Sequence, residues 1–477
     1  METQGYTATF KTEFGNGIEF VSITDYNELE RDYLEDSDAS PHPFFHFAVK
    51  SDMEQFSQEF RFSGETESMR WVAGAYYMSY EGDLFTGGVA GGFAREAFLD
   101  NTIPFEFGFD SPFSTDTEST AVFGQVEFDL AEALTLTMGL RWSKEEKETE
   151  FIQYFSLFES TDSNDVLIRD LFGAEYWSYG NGQYSNTLAQ AFGAPAIQGA
   201  TDTEIDDDFF TWKLGLDWQA SEDTLIYVSY NRGIKAGGFN APLDASLYAF
   251  GALAPDEMKF DKETLDAYEI GFKTELWGGR ARLNGAAYYY DYKDYQAFNL
   301  ESLTLFVFNT DAINQGFELE LQASPVEGFD VLLGAAYIDT TVEDAYSPDG
   351  GLTRVDREMI MTPKWSFNGM FRYEWEMFGG HLAAQYDFNY LDDHFFQLKN
   401  SPVGKEDAYT LSNVRLTYSS DDNWSVSAFV NNVTDEEYRQ MVFDLAGTPV
   451  EGGFGMAEHY YGNPRWWGVT FNYHWGS

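Results

Sequence analysis

The 477-residue chain has no cysteine, which excludes disulfide staples and thiol chemistry and suits an envelope protein. Basic residues are scarce: 28 Lys and Arg stand against 80 Asp and Glu, a net charge of −52. Phosphate binding needs clustered cations, so nucleic acid is excluded as a partner. Long apolar runs are also missing. No stretch reaches the roughly 18 residues that a membrane-spanning helix needs, and mean hydropathy is −0.38. Histidine is sparse, with six in all. His42 and His46 are four apart, but in a proline-containing loop and not on a helix face, so they do not read as a metal pair. No Gly-x-Ser-x-Gly elbow appears, and the Gly-rich stretch Asn231–Asn240 lacks the G-x-x-x-x-G-K spacing and a following helix pattern. No enzyme and no cofactor is expected.

What is abundant is aromatic: 44 Phe, 30 Tyr and 12 Trp, 18% of the chain. Trp and Tyr at that density suit belts at membrane interfaces. The segment Thr120–Ser143 shows the repeating unit. Val122, Gly124, Val126, Phe128 and Leu130 alternate with Ala121, Phe123, Gln125, Glu127 and Asp129. After the turn at Ala131–Ala133, Leu134, Leu136, Met138, Leu140 and Trp142 alternate with Thr135, Thr137, Gly139, Arg141 and Ser143. A period of two predicts a hairpin with one apolar and one polar face. Its strands have the length of about ten residues that crosses a tilted bilayer. Glu127, Asp129 and Arg141 place the polar face against water.

Seventeen such strands are expected, from Gln4–Phe14 to Arg465–Trp475. Their connections alternate. Short turns fall at 15–17, 64–68, 131–133, 220–223, 278–279, 325–328, 376–380 and 420–423. Long loops fall near 34–52, 81–119, 145–208, 233–263, 296–312, 341–363, 393–408 and 432–464. Loops that long count against a soluble domain but are the rule on one side of an outer-membrane barrel. The fold class is therefore all-β: an antiparallel transmembrane β-barrel with short periplasmic turns and long extracellular loops. Seventeen is odd, whereas single-chain bacterial barrels have even numbers. The start, METQGYTATFKTEF, carries no basic-then-apolar export signal and reads as a strand. The chain is thus expected to be a piece, with an odd number of strands preceding it.

Several motifs resemble the TonB-dependent receptors of Gram-negative outer membranes. They are Glu54–Phe62 followed by Arg70–Tyr77, Tyr227–Asn240, Ala267–Lys273, Phe429–Tyr438 (FVNNVTDEEY) and Tyr461–Val469 (YGNPRWWGV). The resemblance covers essentially the whole chain, 1–477, and is specific in combination. It implies a 22-stranded barrel of which these are the last seventeen strands, the first five being absent. It also implies a plug domain, absent here, that fills the lumen and is pulled by an inner-membrane energy coupler of the TonB type. The implied function is energy-coupled uptake of a scarce bulky solute, most often a ferric siderophore. A passive porin is the nearer rival and an outer-membrane enzyme the more distant one. Outer-membrane lipid and lipopolysaccharide are the surroundings this implies.

Ligand candidates lie where strands meet the outer loops. Arg232 and Lys235 are cations at such a point, and Tyr176 and Trp177 supply rings in a long loop. Together they suit a large, partly anionic chelate. Residues 25–40 hold seven acids against Arg31 alone, and 201–208 hold five. These read as solvated surface, with divalent-cation bridging to each other or to lipopolysaccharide phosphates as the alternative.

Overall fold

The computed structural model describes residues 1–15, 17–36, 45–90, 105–151, 154–159, 201–240, 259–301, 304–346, 354–445 and 456–475. Tyr176, Trp177 and His42 lie outside the described residues.

Tight reversals at one end set the architecture. Gly17 (φ 78°), Gly328 (77°) and Gly379 (72°) each supply a left-handed residue that a side chain would disfavour. Between them run the strands: β1 Glu2–Glu13, β2 Ile18–Asp36, β3 Phe45–Glu65, β4 Met69–Ala90, β5 Phe105–Ala131 and β6 Leu134–Phe151. There follow β7 Thr201–Ser221, β8 Thr224–Lys235, β9 Glu263–Leu276, β10 Ala281–Glu301, β11 Thr304–Val326 and β12 Phe329–Tyr346. The last are β13 Trp365–Glu376, β14 Gly380–Leu391, β15 Tyr409–Ser420, β16 Trp424–Asn431 and β17 Trp466–Tyr473. Each strand pairs antiparallel with the next, from β1–β2 through to β16–β17. All seventeen expected strands are present, in an up-and-down meander. Among the described residues no ladder joins β17 back to β1.

The faces divide as the period of two requires. Val122 is 55% exposed, Leu140 56% and Ile270 55%, and in register with them or beside them stand Phe128, Met138, Leu214 and Val228. A continuous apolar face of this extent is not stable in water and marks a lipid-facing wall. The opposite face carries Glu127, Arg141, Lys213 and Glu269 and lines the lumen. Gly74 shows how closely that face is filled: a Cβ there would lie 2.5 Å from Phe123 Cζ, so the ring lies flat over strand β4.

Within the loops expected at 34–52, 81–119, 145–208 and 296–312, the described residues are strand instead. β4 has 22 residues and β5 has 27, where about 9–11 cross a bilayer. The 201–208 acidic segment belongs to β7 and not to a loop. Beyond the bilayer a ribbon needs no apolar face, so the alternation that marks a spanning strand stops while the backbone ladder continues. Lys144–Glu150 is polar at every position yet pairs without interruption with β5 and β7.

On the outer face of these arms, acids meet acids directly. Glu28 opposes Glu54, Glu54 opposes Glu81, Glu81 opposes Asp116, Asp116 opposes Glu148 and Glu148 opposes Glu204. Like charges directly across a ladder each cost on the order of 0.2–1 kcal/mol. Among the described residues no group of three or more His, Asp or Glu is arranged to hold a metal ion. Salt should therefore tighten the arms. Amide exchange around Glu81, Asp116 and Glu148 is expected to slow when ionic strength rises from ~0.01 M to ~0.15 M, where the screening length shortens from about 30 to 8 Å. Glu81→Gln, which removes two opposed pairs, should blunt that response; unchanged exchange across the series would contradict it.

Candidate functional site

The lumen wall is polar because every second residue of each strand points inward, and several of its cations are paired with carboxylates. Arg70 of β4 donates from Nε to Glu127 at 3.0 Å and from Nη1 to Asp129 at 3.4 Å. Arg372 of β13 pairs with Glu374 and lies 3.6 Å from Asp330. Tyr227 of β8 lies over Gly271 and donates its hydroxyl to Glu269 at 2.6 Å. Tyr288, Tyr290 and Tyr292 of β10 line the same wall, the first two with ring centroids 4.7 Å apart.

At the outer end a short ribbon, Gly238–Phe239 paired with Lys259–Phe260, folds against the wall. It is tied on several sides. Lys147 donates to the Gly237 carbonyl at 2.9 Å and Lys262 meets Asp207 at 3.1 Å. Asn240 exchanges two hydrogen bonds with the Val307 backbone, at 2.8 and 2.7 Å. Gln296 donates to the Ala236 carbonyl at 2.8 Å. Gln55, Tyr80, Phe113, Thr117, Phe239 and Asn240 surround the resulting hollow.

A second outer lobe packs beside it. Ala297, Ala312, Val342, Ala345, Met359 and Leu398 form a small dry core on the arms. The ribbon His394–Phe395 with Lys405–Glu406 is locked to Arg439–Leu445 by Arg439 on Glu406 and by Lys399 on Asp444, the latter at 3.0 Å. Lys405, 2.9 Å from Asp393, holds that carboxyl below its ordinary range. The FVNNVTDEEY and YGNPRWWGV segments hold each other here. Asn432, at φ 50°, donates to the carbonyls of Glu436 and Asn463, and the Asp435 carboxylate accepts from the Arg465 backbone at 2.8 Å. Tyr438 covers Gly462, where a Cβ would lie 1.9 Å from its ring.

Of the four residues singled out from sequence, Arg232 and Lys235 are described, and they face opposite sides of the wall. Tyr176 and Trp177 lie outside the described residues. Arg232 shares a face with Val228 and Tyr230, the lipid-facing one. Its Nε donates to Asp266 at 2.7 Å, a second nitrogen meets the other carboxylate oxygen, and its guanidinium lies 4.5 Å over the Trp212 ring. Tyr230 also donates to Asp266 at 2.8 Å and stacks on Tyr268 at 4.8 Å. This is an interfacial aromatic belt with an internally neutralised cation. Lys235 has the opposite parity, faces the lumen side, and has no ion pair among the described residues. Sequence reasoning missed Lys147, Lys262, Asn240 and Gln296, whose roles depend on contacts between segments far apart in the chain.

A seventeen-strand meander with a greasy outside, a wet inside and arms reaching far beyond one rim is the wall of an outer-membrane-type barrel. The family profile described as TonB dependent receptor-like, beta-barrel, matches residues 1–433, and the chain belongs to that family. Among curated relatives, the vitamin B12 transporter BtuB of Photobacterium profundum is 23% identical over 341 residues, 68% of this chain and 47% of its own length. The ferric-pyoverdine M114 receptor PbuA of a Pseudomonas species is 24% identical over 353 residues, 70% of this chain and 33% of its own. Among solved structures, the ferric yersiniabactin uptake receptor FyuA of Yersinia pestis superposes with a TM-score of 0.70 at 17% identity, covering 99% of this chain and 61% of that one. The siderophore receptor PiuA of Acinetobacter baumannii gives 0.68 at 17% identity, covering 98% and 64%. The matched stretch thus spans less than half of either curated relative. The family and these relatives are transport receptors, not enzymes.

Proposed function

We propose that this chain forms the barrel wall of a Gram-negative outer-membrane receptor that takes up a ferric siderophore by energy-coupled transport. The observation that carries the reading is the pairing of a polar lumen with long, hydrogen-bonded outer arms and lobes around its mouth, in a member of this family. PbuA, FyuA and PiuA are each named for siderophores, and BtuB for vitamin B12. Lys147, 3.2 Å from Glu145, and the rings of Phe113 and Phe239 line the hollow near the rim, where a partly aromatic chelate would first dock. Lys235, the last residue of β8, adds a cation at the same level. Arg232 supports that rim from outside by anchoring the aromatic belt. Among the described residues no ladder joins β1 to β17, and the family resemblance implies a closed barrel of 22 strands. A plug in the lumen links the wall to a TonB-type coupler.

Uptake of radiolabelled ferric siderophores by the source bacterium tests this. Deleting the gene should abolish uptake of one siderophore class, and dissipating the proton gradient should do the same in the intact strain. Uptake that survives the uncoupler would instead indicate a passive porin. Loss of cobalamin uptake with ferric uptake intact would move the ligand to the vitamin class.

A further inference from the structure

In a molecule with 80 acids and 28 bases, two neighbouring lumen cations have no carboxylate across the ladders or on the diagonals among the described residues. Arg141 of β6 has Phe123 and Thr211 directly across the ladders, and Ala121, Gln125, Phe209 and Lys213 on the diagonals. Lys213 of β7 has Gly139 and Asn231 across, with Thr137, Arg141, Ser229 and Gly233 on the diagonals. None of these neighbours is acidic. The two cations are themselves diagonal neighbours, with Cα atoms about 7–8 Å apart. Two like charges held that close, with no counter-charge, raise the energy of the empty wall.

The Arg is also held rigid. Its guanidinium lies 5.7 Å from the ring centroids of both Tyr76 and Phe123, and its Nε donates to Ser143 at 3.0 Å. Among the described residues no hydrogen bond or ion pair takes up its terminal nitrogens, which present the fork that suits a planar anion. Around the pair the floor is built of small residues. A Cβ added at Gly139 or Gly215 would meet nothing closer than 3.5 and 3.6 Å, and at Gly233 nothing within 4 Å. Gln125, Thr211, Ser229 and Asn231 edge this floor with neutral hydrogen-bonding groups.

We propose that Arg141 and Lys213 form an anion-binding site on the lumen wall, taking a carboxylate-class group. Elsewhere the negative field of the chain repels such groups, so this is where an anionic solute would pause on its way through. The site stands apart from the rim and needs no iron, so its test is separate from that of the siderophore reading.

The probe is metal-free citrate, titrated calorimetrically into the full chain refolded in detergent. Arg141→Gln and Lys213→Gln should each weaken citrate binding at least tenfold, and Arg141→Lys should restore part of the loss. Lys273→Gln removes another lumen cation, far along the wall, and should change binding less than twofold. Citrate should also slow acylation of Lys213 by an amine reagent relative to Lys273, a readout that needs no variant. The carboxylate could belong to a small solute or to a polypeptide side chain entering the lumen. Tighter binding of citrate than of N-acetylglutamate amide identifies the solute, and the reverse identifies the side chain. Citrate binding that neither Gln variant weakens, or Lys213 acylation that citrate leaves unchanged, overturns the proposal.

Discussion

Met138→Arg should destabilise the wall by about 2–4 kcal/mol, the cost of a cation on a barrel's lipid face near mid-bilayer. Met138 is the middle residue of the outward row Leu134, Leu136, Met138, Leu140 and Trp142, and it is 43% exposed. Its cross-ladder neighbours are Val126 and Leu214, both apolar, so no carboxylate lies within reach of an introduced guanidinium. Ser229→Arg is the matched control. Ser229 faces the lumen directly across from Glu269. There the new charge stays in water beside an acid, and the cost should remain within about 1 kcal/mol, as at an ordinary wet surface. Urea unfolding of both variants in phospholipid vesicles, followed by tryptophan fluorescence, separates them. Equal losses would mean that the two faces do not differ in solvent, and the membrane reading would fail with them.

That contrast rests on a pattern that is readable from sequence wherever hydrocarbon imposes it. Along Val122–Leu130 and Leu134–Trp142 the bilayer demands an apolar side chain at every second position, so the strands and their faces are legible. The inner turns are legible too, since Gly17, Gly328 and Gly379 occupy backbone states that few other residues accept. The arms are not, because nothing beyond the headgroups requires alternation. Thr201–Asp208 reads as an acidic loop but continues β7, held by its ladder to Lys144–Phe151.

Site residues divide in the same way. The outward placement of Arg232 was available by counting in twos from Val228, yet a cation next to a long loop draws attention to ligand and away from parity. The isolation of Lys213 could not be read from its own strand at all. It follows from Gly139 on one side and Asn231 on the other, and that register is fixed only when three strands assemble. The ties of Asn240 to Val307 and of Lys399 to Asp444 bridge distant segments and share that limit.

Arg232→Met should cost about 2–4 kcal/mol, toward the lower part of the range for breaking a buried ion pair, because the pair is only partly enclosed. The side chains of Arg232 and Asp266 are 31% and 15% exposed. Removing the guanidinium leaves the Asp266 carboxylate at the lipid boundary with the Tyr230 hydroxyl as its remaining donor. It also strips the cation from the face of Trp212. The double variant Arg232→Met with Asp266→Leu removes the orphaned charge and offers the belt two apolar side chains, so most of the lost stability should return. The same pair of variants weighs the two roles open to Arg232. If its guanidinium binds solute, the double variant stays as defective in ligand binding as the single one, whatever its stability. If it serves to neutralise Asp266 and seat the aromatic belt, ligand binding recovers together with the unfolding midpoint. The geometry predicts the second outcome, because both carboxylate oxygens of Asp266 already engage the guanidinium and its flat face is taken by Trp212.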